Sequence, residues 1–153
     1  MTTMREITVG YCQFCPGFGE VASNLQVIRR LVGAAEQADL LVLPELGTTG
    51  YEFRDVREVA DLAEPFGDGA TARVLVELAR RHAVTLVLGY PESDGNRYFN
   101  ACMLATPDGS LHNYRKIHLF GFADGERTLI TGGEELVVVD TPLGPTGLAT
   151  CYD

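Results

Sequence analysis

The sequence predicts an α/β fold in one domain, residues 1–153, and three observations support this. Short apolar runs typical of buried strands alternate with segments whose apolar residues recur at the spacing of one helical face. Turn signals containing glycine or proline separate these segments. No internal repeat or low-complexity linker divides the 153 residues, a length that suits one domain with its own core.

The first half of the chain is predicted to contain βαβ units. Strands are expected over 7–13, 40–44 and 84–90. Helices are expected over 23–37, 54–62 and 71–82. The apolar stripe of the first helix comprises Leu25, Ile28, Leu31, Val32 and Ala35. The second strand is a continuous apolar run, which is typical of a strand covered on both faces.

The second half is predicted to contain hairpins. The turn signals Asp94-Gly95 and Pro107-Asp108-Gly109 bracket a strand over 98–106, which we expect to pair with a strand over 111–116. A long loop is then predicted over 117–133. The last predicted hairpin has its strands at 136–141 and 146–151.

The composition argues against several classes of partner. The formal net charge of −9 at pH 7 leaves no basic footprint for nucleic acid or for an anionic membrane surface. The longest apolar stretches are far too short to span a bilayer, and the start of the chain lacks the apolar segment of a secretory signal. We therefore expect a cytoplasmic protein with no nucleic-acid or membrane partner.

The four cysteines are expected to be reduced in that compartment. Cys12 and Cys15 have the spacing of a metal or redox pair, but no second such pair and no histidine pair accompany them. No metal site is therefore predicted. Cys102 lies in an apolar strand and is predicted to be a small core residue.

Three reactive side chains, Glu45, Lys116 and Cys151, lie at predicted strand ends. Each has a simple structural explanation, because a carboxylate can start a solvated loop, a lysine can be an edge charge and a thiol can fill a core. Together they are also the parts of a covalent mechanism: a general base, a cation for an oxyanion and a nucleophile. The backbone N–H of Tyr152 is a candidate second donor to that oxyanion.

The segments around these residues carry a family resemblance. Leu-Pro-Glu at 43–45, Tyr-Arg-Lys-x-His-Leu at 114–119 and Gly-Leu-Ala-x-Cys-Tyr-Asp at 147–153 resemble the three signature segments of the nitrilase, or carbon–nitrogen hydrolase, superfamily. Further matches are Gln13, Pro16, Gly17, Asn24 and Gly50-Tyr51. Glu126 lies where the family has a second active-site glutamate, although an aromatic residue is commoner in the family at the position of Ile130.

The resemblance implies a fold and a reaction. The fold is an αββα sandwich of the nitrilase type, with Glu45, Lys116 and Cys151 meeting between the two sheets. Glu45 would carry the proton, Lys116 would bind the oxyanion, and Glu126 would position the lysine or the substrate. Tyr51 would line the acyl pocket. The implied reaction is hydrolysis of a non-peptide carbon–nitrogen bond through a thioester, with no metal or organic cofactor.

The residues after the nucleophile indicate a branch of the family. Cys151-Tyr152-Asp153 resembles the amidase and carbamoylase side, whereas nitrilases more often have Trp-Glu after the cysteine. We therefore expect a small linear amide as substrate and a carboxylic acid and ammonia as products, with an ω-amide of a dicarboxylate as one candidate. Nitrilase and N-carbamoyl hydrolase activities are the alternatives within the family.

The resemblance also implies a longer polypeptide, because family members continue beyond the nucleophile with strands of the second sheet, more of the pocket and part of the dimer surface. We therefore expect an incomplete sandwich, truncated at its C-terminal side, with open apolar sheet faces. A homo-oligomer is expected when the chain is complete. The alternative is an inactive short product that acts at most as an interaction module. The intact Glu-Lys-Cys set favours the hypothesis that this is the front portion of a longer amidase.

Overall fold

A mixed β-sheet with helices on one face forms most of the molecule. The computed structural model describes residues 6–35, 37–121 and 125–153. The strands are β1 (Val9–Tyr11), β2 (Leu40–Val42), β3 (Glu64–Pro65), β4 (Thr85–Asp94), β5 (Arg97–Ala105), β6 (Leu111–Arg115), β7 (Val137–Thr141) and β8 (Gly144–Leu148). The helices are α1 (Val21–Ala34), α2 (Val56–Leu62), α3 (Ala70–His82) and α4 (Glu126–Leu129). The α/β class predicted from the sequence is confirmed.

The six-stranded sheet is parallel on one side and antiparallel on the other. Its order is β1-β2-β4-β5-β6, and β3 pairs with the far end of β4. Strands β1, β2 and β4 run parallel, as βαβ connections through α1 and α3 require. Strands β4, β5 and β6 are joined by short turns and run antiparallel. A separate two-stranded sheet consists of β7 and β8.

Helices α1 and α3 cover one face of the large sheet. Their apolar stripes pack on the inward side chains of the central strands and form the main core. The core includes Ile28, Val32, Leu75, Leu78, Leu41, Leu86, Leu88 and Met103. Arg115 lies on this helix-covered face, near the end of β6. It pairs with the buried Glu92 at 2.9 Å, and its guanidinium carbon lies 3.9 Å from the centre of the Phe99 ring.

The helix starts show different capping. The Asp55 carboxylate accepts hydrogen bonds from the backbone N–H groups of Arg57 and Glu58 at the start of α2. At the start of α3 the carboxylate of Glu64, six residues earlier in the chain, accepts hydrogen bonds from the N–H groups of Ala70 and Thr71. Strand β3 therefore supplies the cap that local sequence does not provide.

Several predicted boundaries are wrong. Strand β1 has three residues rather than the seven over 7–13. The predicted loop over 117–133 contains the short helix α4. The last strand ends at Leu148, so Cys151 lies in a turn three residues beyond it and not at a strand end.

The β7–β8 sheet covers part of the second face of the large sheet. Leu148 packs against Cys102, Leu104 and Tyr114. On this same face Val9, Tyr11 and Val42 of the parallel strands are exposed by 61%, 77% and 40%, which is the kind of open apolar face expected from the sequence. Within the described residues, the helices are all too short or too polar to cross a bilayer.

Candidate active site

Glu45 lies just after β2, in a segment that packs tightly against the neighbouring strand β4. The chain leaves β2 through Pro44, whose carbonyl accepts a hydrogen bond from the N–H of Gly89 on β4 at 3.1 Å. A Cβ at Gly89 would lie 2.6 Å from the Cα of Glu45 and 2.5 Å from the nitrogen of Leu46. Only glycine fits there, because real Cβ atoms do not approach backbone so closely. Gly89 thus allows Glu45 to lie directly on the sheet.

Lys116 directly follows β6 and is fixed through its backbone. Its N–H donates to the carbonyl of Asn100 at 2.8 Å, and its carbonyl accepts from the N–H of Gly133 at 2.8 Å. A Cβ at Gly133 would overlap the carbonyl of Arg115. The side chain of Lys116 is fully buried, so its ammonium needs anionic partners.

Two carboxylates provide those partners. The ammonium of Lys116 donates to Oε1 of Glu45 at 2.7 Å and to Oε2 of Glu126 at 2.9 Å. Burial lowers the pKa of Lys116, but the two hydrogen bonds and the two negative charges outweigh it, and the pKa is raised above its usual value. Lys116 therefore stays protonated at neutral pH. An ammonium has three N–H donors, and within the described residues two of them are used.

Glu126 is itself held by the loop that follows Lys116. It is 6% exposed and begins α4. Its Oε2 accepts a second hydrogen bond from the backbone N–H of Phe120 at 2.7 Å. The glutamate is thus fixed from two directions and presents one oxygen to the lysine.

Asn100 on β5 completes the buried cluster. It is 1% exposed, and its Nδ2 donates to Oε1 of Glu45 at 2.7 Å and to Oε1 of Glu126. Its Oδ1 is buried and accepts no hydrogen bond from the residues that the structure describes. The buried cluster, defined as Glu45, Asn100, Lys116 and Glu126, contains two carboxylates and one ammonium joined by side-chain hydrogen bonds.

Cys151 lies beside this cluster on an exposed turn. Its backbone has a left-handed conformation, with φ of 51°, which is uncommon for a residue with a side chain. Partial burial raises the pKa of the Cys151 thiol, and the charge of Glu45 and a hydrogen bond to it raise the pKa further, while Lys116 acts in the opposite direction. The resting thiol is therefore protonated at neutral pH.

Asp153 ties the cysteine turn to the lysine segment. Its Oδ1 accepts from the backbone N–H of His118 at 2.9 Å, and its Oδ2 accepts from the Tyr114 hydroxyl at 2.7 Å. Oδ2 also accepts from the N–H of Thr150 within the turn, at 3.0 Å. Burial opposes ionisation of Asp153, but these hydrogen bonds prevail and its pKa is lowered. The carboxylate thus fixes the position of the cysteine turn relative to the segment that contains Lys116.

The two tyrosines singled out from the sequence differ in their surroundings. The ring of Tyr51 lies 5.9 Å from the ammonium of Lys116. Burial and the charges of Glu126 and Glu45 raise the pKa of Tyr51. With Leu46, Phe53, Ile130 and other mostly apolar residues it lines a cavity of about 50 Å³ beside Glu126 and Asn100. The side chain of Tyr152 is 72% exposed.

The structure brings together Glu45, Lys116, Glu126 and Tyr51. The charges of the two glutamates and of the lysine also act on the thiol of Cys151. Asn100 and Asp153 were not singled out from the sequence as site residues. A signal existed for Asn100, because it is a polar residue within the largely apolar run of β5. Asp153 offered only its nearness to Cys151.

The fold and the cluster define a class of protein. A protonated thiol beside a carboxylate and a fixed ammonium, above the end of an α/β sheet, is suited to acyl transfer through a covalent intermediate. The family model described as carbon-nitrogen hydrolase matches residues 8–153. The chain belongs to the carbon-nitrogen hydrolase family.

Curated relatives and solved structures agree with this assignment. A 2-oxoglutaramate amidase of Paenarthrobacter nicotinovorans is 38% identical over 137 residues, which are 82% of this chain and 45% of that protein. A nitrilase of Pyrococcus abyssi is 37% identical over 116 residues, 74% of this chain and 44% of that protein. A CN-hydrolase superfamily protein of Xanthomonas campestris, solved with an arsenic adduct in its active site, superposes with a TM-score of 0.86 at 27% identity and covers 97% of this chain and 54% of its own.

The chain spans about half the length of the curated relatives that it matches. Residues 8–153, which the family model matches, include all the residues of the buried cluster and of the cysteine turn. The fold is shared with the X. campestris protein over 97% of this chain.

Proposed function

We propose that the protein hydrolyses the carbon–nitrogen bond of a small linear amide to a carboxylic acid and ammonia, through a thioester on Cys151. The observation that carries this proposal is the buried ammonium of Lys116, held between Glu45 and Glu126 next to an exposed thiol. A surface ion pair would not need such burial, and the cost of burying a lysine indicates a chemical use.

In the first step Glu45 acts as the general base. Because the pKa of the Cys151 thiol is raised, a free thiolate is scarce at neutral pH, so the proton moves to the Glu45 carboxylate as Sγ attacks the carbonyl carbon. The carbon–sulfur bond forms and the carbonyl electron pair moves to oxygen. The third N–H of Lys116 and the backbone N–H of Tyr152 are the donors for this oxyanion.

The remaining steps use the same groups. Protonated Glu45 gives its proton to the substrate nitrogen, the carbon–nitrogen bond breaks and ammonia leaves. A water molecule then gives a proton to Glu45 and attacks the thioester, and the carbon–sulfur bond breaks as the proton returns to sulfur. Glu126 holds the ammonium in place throughout. No metal or organic cofactor enters this scheme.

The choice of an amide rests on the family branch and on the relatives. Several relatives are named amidases, among them the 2-oxoglutaramate amidases of P. nicotinovorans and Bacillus subtilis and an omega-amidase of Danio rerio. We extend this to an ω-amide of a dicarboxylate as the first substrate to test. The small apolar cavity that contains Tyr51 is proposed as the site of the acyl chain. We also propose a cytoplasmic location and a homo-oligomer.

The test is intact-mass spectrometry of the purified protein after incubation with small ω-amides, carbamoyl compounds and nitriles. An acyl adduct that maps to Cys151 supports the thioester mechanism, and its mass identifies the substrate class. The Cys151→Ser variant is the control and should carry no thioester. A protein without an adduct, whose Cys151 is also inert to mild alkylation, would favour the alternative of an inactive chain.

A further inference from the structure

We propose that Asn100 is a positioning residue for the acyl-transfer reaction, which directs one oxygen of Glu45 to the thiol and holds Glu126 beside the lysine. The inference rests on the proposed function. Its basis is the place of Asn100 in the buried cluster, where it contacts both carboxylates and the lysine backbone.

The orientation of the Asn100 amide follows from its neighbours. Both hydrogens of Nδ2 point to carboxylate oxygens, one on Glu45 and one on Glu126. A flipped amide would place Oδ1 against both of these oxygens, which would repel it. The present orientation leaves Oδ1 buried, with no hydrogen bond from the described part of the chain. This unfavourable state persists because the two charged contacts outweigh it.

The two donors converge on one oxygen of Glu45. Lys116 and Asn100 both donate to Oε1, each at 2.7 Å. Oε2 is therefore the oxygen left for the proton of Cys151. A base that can rotate would meet the thiol with either oxygen, whereas this glutamate is held at one geometry.

The amide also supplies what a second cation would otherwise supply. Two carboxylates share a single ammonium in the cluster, so one negative charge is unbalanced. Asn100 donates one hydrogen bond to each glutamate and adds no charge of its own, so both carboxylates are held in place without a second cation.

Asn100 contributes its backbone as well. Its carbonyl accepts the N–H of Lys116 at 2.8 Å. One residue of β5 therefore sets the positions of the base, the cation and the second glutamate. Asn113 on the neighbouring strand offers a matched comparison, because its Nδ2 donates to the buried Glu92 at 2.7 Å on the opposite face of the sheet.

The experiment compares Asn100→Leu with Asn113→Leu and with the unchanged protein. The probe is p-nitrophenyl acetate, whose leaving group needs no proton, so the acylation rate reports removal of the thiol proton. The acylation rate is followed between about pH 5 and pH 9, and the acetyl group is mapped to Cys151 by mass. Near neutral pH Asn100→Leu should acylate about tenfold to a hundredfold more slowly than the unchanged protein. The difference should shrink toward the alkaline end of the range, where the thiol ionises without the help of the base.

The control and the possible results separate the hypotheses. Asn113→Leu should lower the melting temperature but leave the acylation rate unchanged over the whole pH range. Should Asn100→Leu not fold, Asn100→Ser serves in its place, because a hydroxyl is too short to reach both carboxylates. A variant at position 100 whose acylation rate is unchanged at every pH overturns the role of Asn100 alone. No acylation of Cys151 in the unchanged protein, by this probe or by the amides, overturns the proposed function instead.

Discussion

The buried cluster and the cysteine turn lie side by side, yet they are held in different ways. The cluster consists of fully or largely buried charges that satisfy one another. The turn is exposed, has a left-handed residue at Cys151 and depends on the carboxylate of Asp153 for its attachment. The comparison suggests that Glu45 and Lys116 contribute to stability, whereas Cys151, the proposed nucleophile, can be altered at little cost to the fold.

Removing the cation should damage the cluster most. Lys116→Met leaves two buried carboxylates without their ammonium, and we expect the free energy of unfolding to fall by about 3–5 kcal/mol. Acylation should be lost as well. Chemical denaturation measures the first effect and intact mass the second. Arg29→Met is the control, because it breaks a more exposed ion pair of the same 2.7 Å length with Glu77 and should cost less than about 1 kcal/mol. Equal losses in the two variants would contradict the comparison.

Removing the carboxylate that ties the turn should have an intermediate effect. Asp153→Asn should lower the free energy of unfolding by about 2 kcal/mol at neutral pH. The native pKa of Asp153 is lowered, so its stabilisation is present above the unfolded pKa of about 3.9 and is lost as the pH falls through the native pKa. Denaturant melts at several pH values should show the difference shrinking in acid.

The control for this variant is Asp108→Asn. Hydrogen bonds from Thr106 and Ser110, within one turn, lower the pKa of Asp108 to about 2. Both substitutions should destabilise the protein. Only the change at Asp153 should alter the alkylation rate of Cys151, and an effect of both on that rate would argue against the proposed attachment.

Removing the charge of Glu45, the proposed base, should change the reactivity of the thiol more than the stability of the fold. In Glu45→Gln the negative charge that raises the pKa of Cys151 is absent, while the opposing effect of Lys116 remains. The midpoint of alkylation by iodoacetamide should move down by about one pH unit, although turnover is lost. Cys15, which is exposed in the same molecule, is the internal control, and the substitution should not change its alkylation. A Cys151 midpoint that stays in place or moves up would contradict the effect of Glu45 on the thiol.

Replacing Cys151, the proposed nucleophile, should affect the fold least. Cys151→Ser should change the free energy of unfolding by less than about 0.5 kcal/mol, as exposed substitutions usually do, and should abolish thioester formation. Cys102→Ser is the matched control, because that thiol is buried between the sheets, where burial raises its pKa to about 11. The buried substitution should cost about 1–3 kcal/mol. Retained turnover by Cys151→Ser would contradict the mechanism.

Much of the site could be predicted from the sequence because its reactive residues stand next to regular patterns. Glu45 follows a continuous apolar run, and Lys116 ends an alternating strand. The sequence carries a further signal at Lys116, which is the sole lysine among the twelve lysine and arginine residues of the chain. A chain that uses arginine elsewhere and lysine once indicates a need for a compact ammonium at that position.

Other features depend on contacts between distant segments, which a single sequence does not reveal. Asn100 meets Glu45 across 55 positions and Glu126 across 26. The cap on α3 comes from Glu64 in a two-residue strand. The end of the last strand was misplaced because an apolar run continues past Leu148, while the hydrogen bonds of Asp153 favour a turn at Thr150.

Arg115 and Lys116 are adjacent, and their side chains enter opposite faces of the sheet. Arg115 binds Glu92 on the helix-covered face, and Lys116 binds Glu45 on the second face. A slip of β6 by one residue would turn both cations to the wrong faces of the sheet, and in one direction it would place a forked guanidinium where a single ammonium fits. Each ion pair therefore excludes the misaligned pairing of the other, so the strand that carries the cation has one permitted alignment during folding.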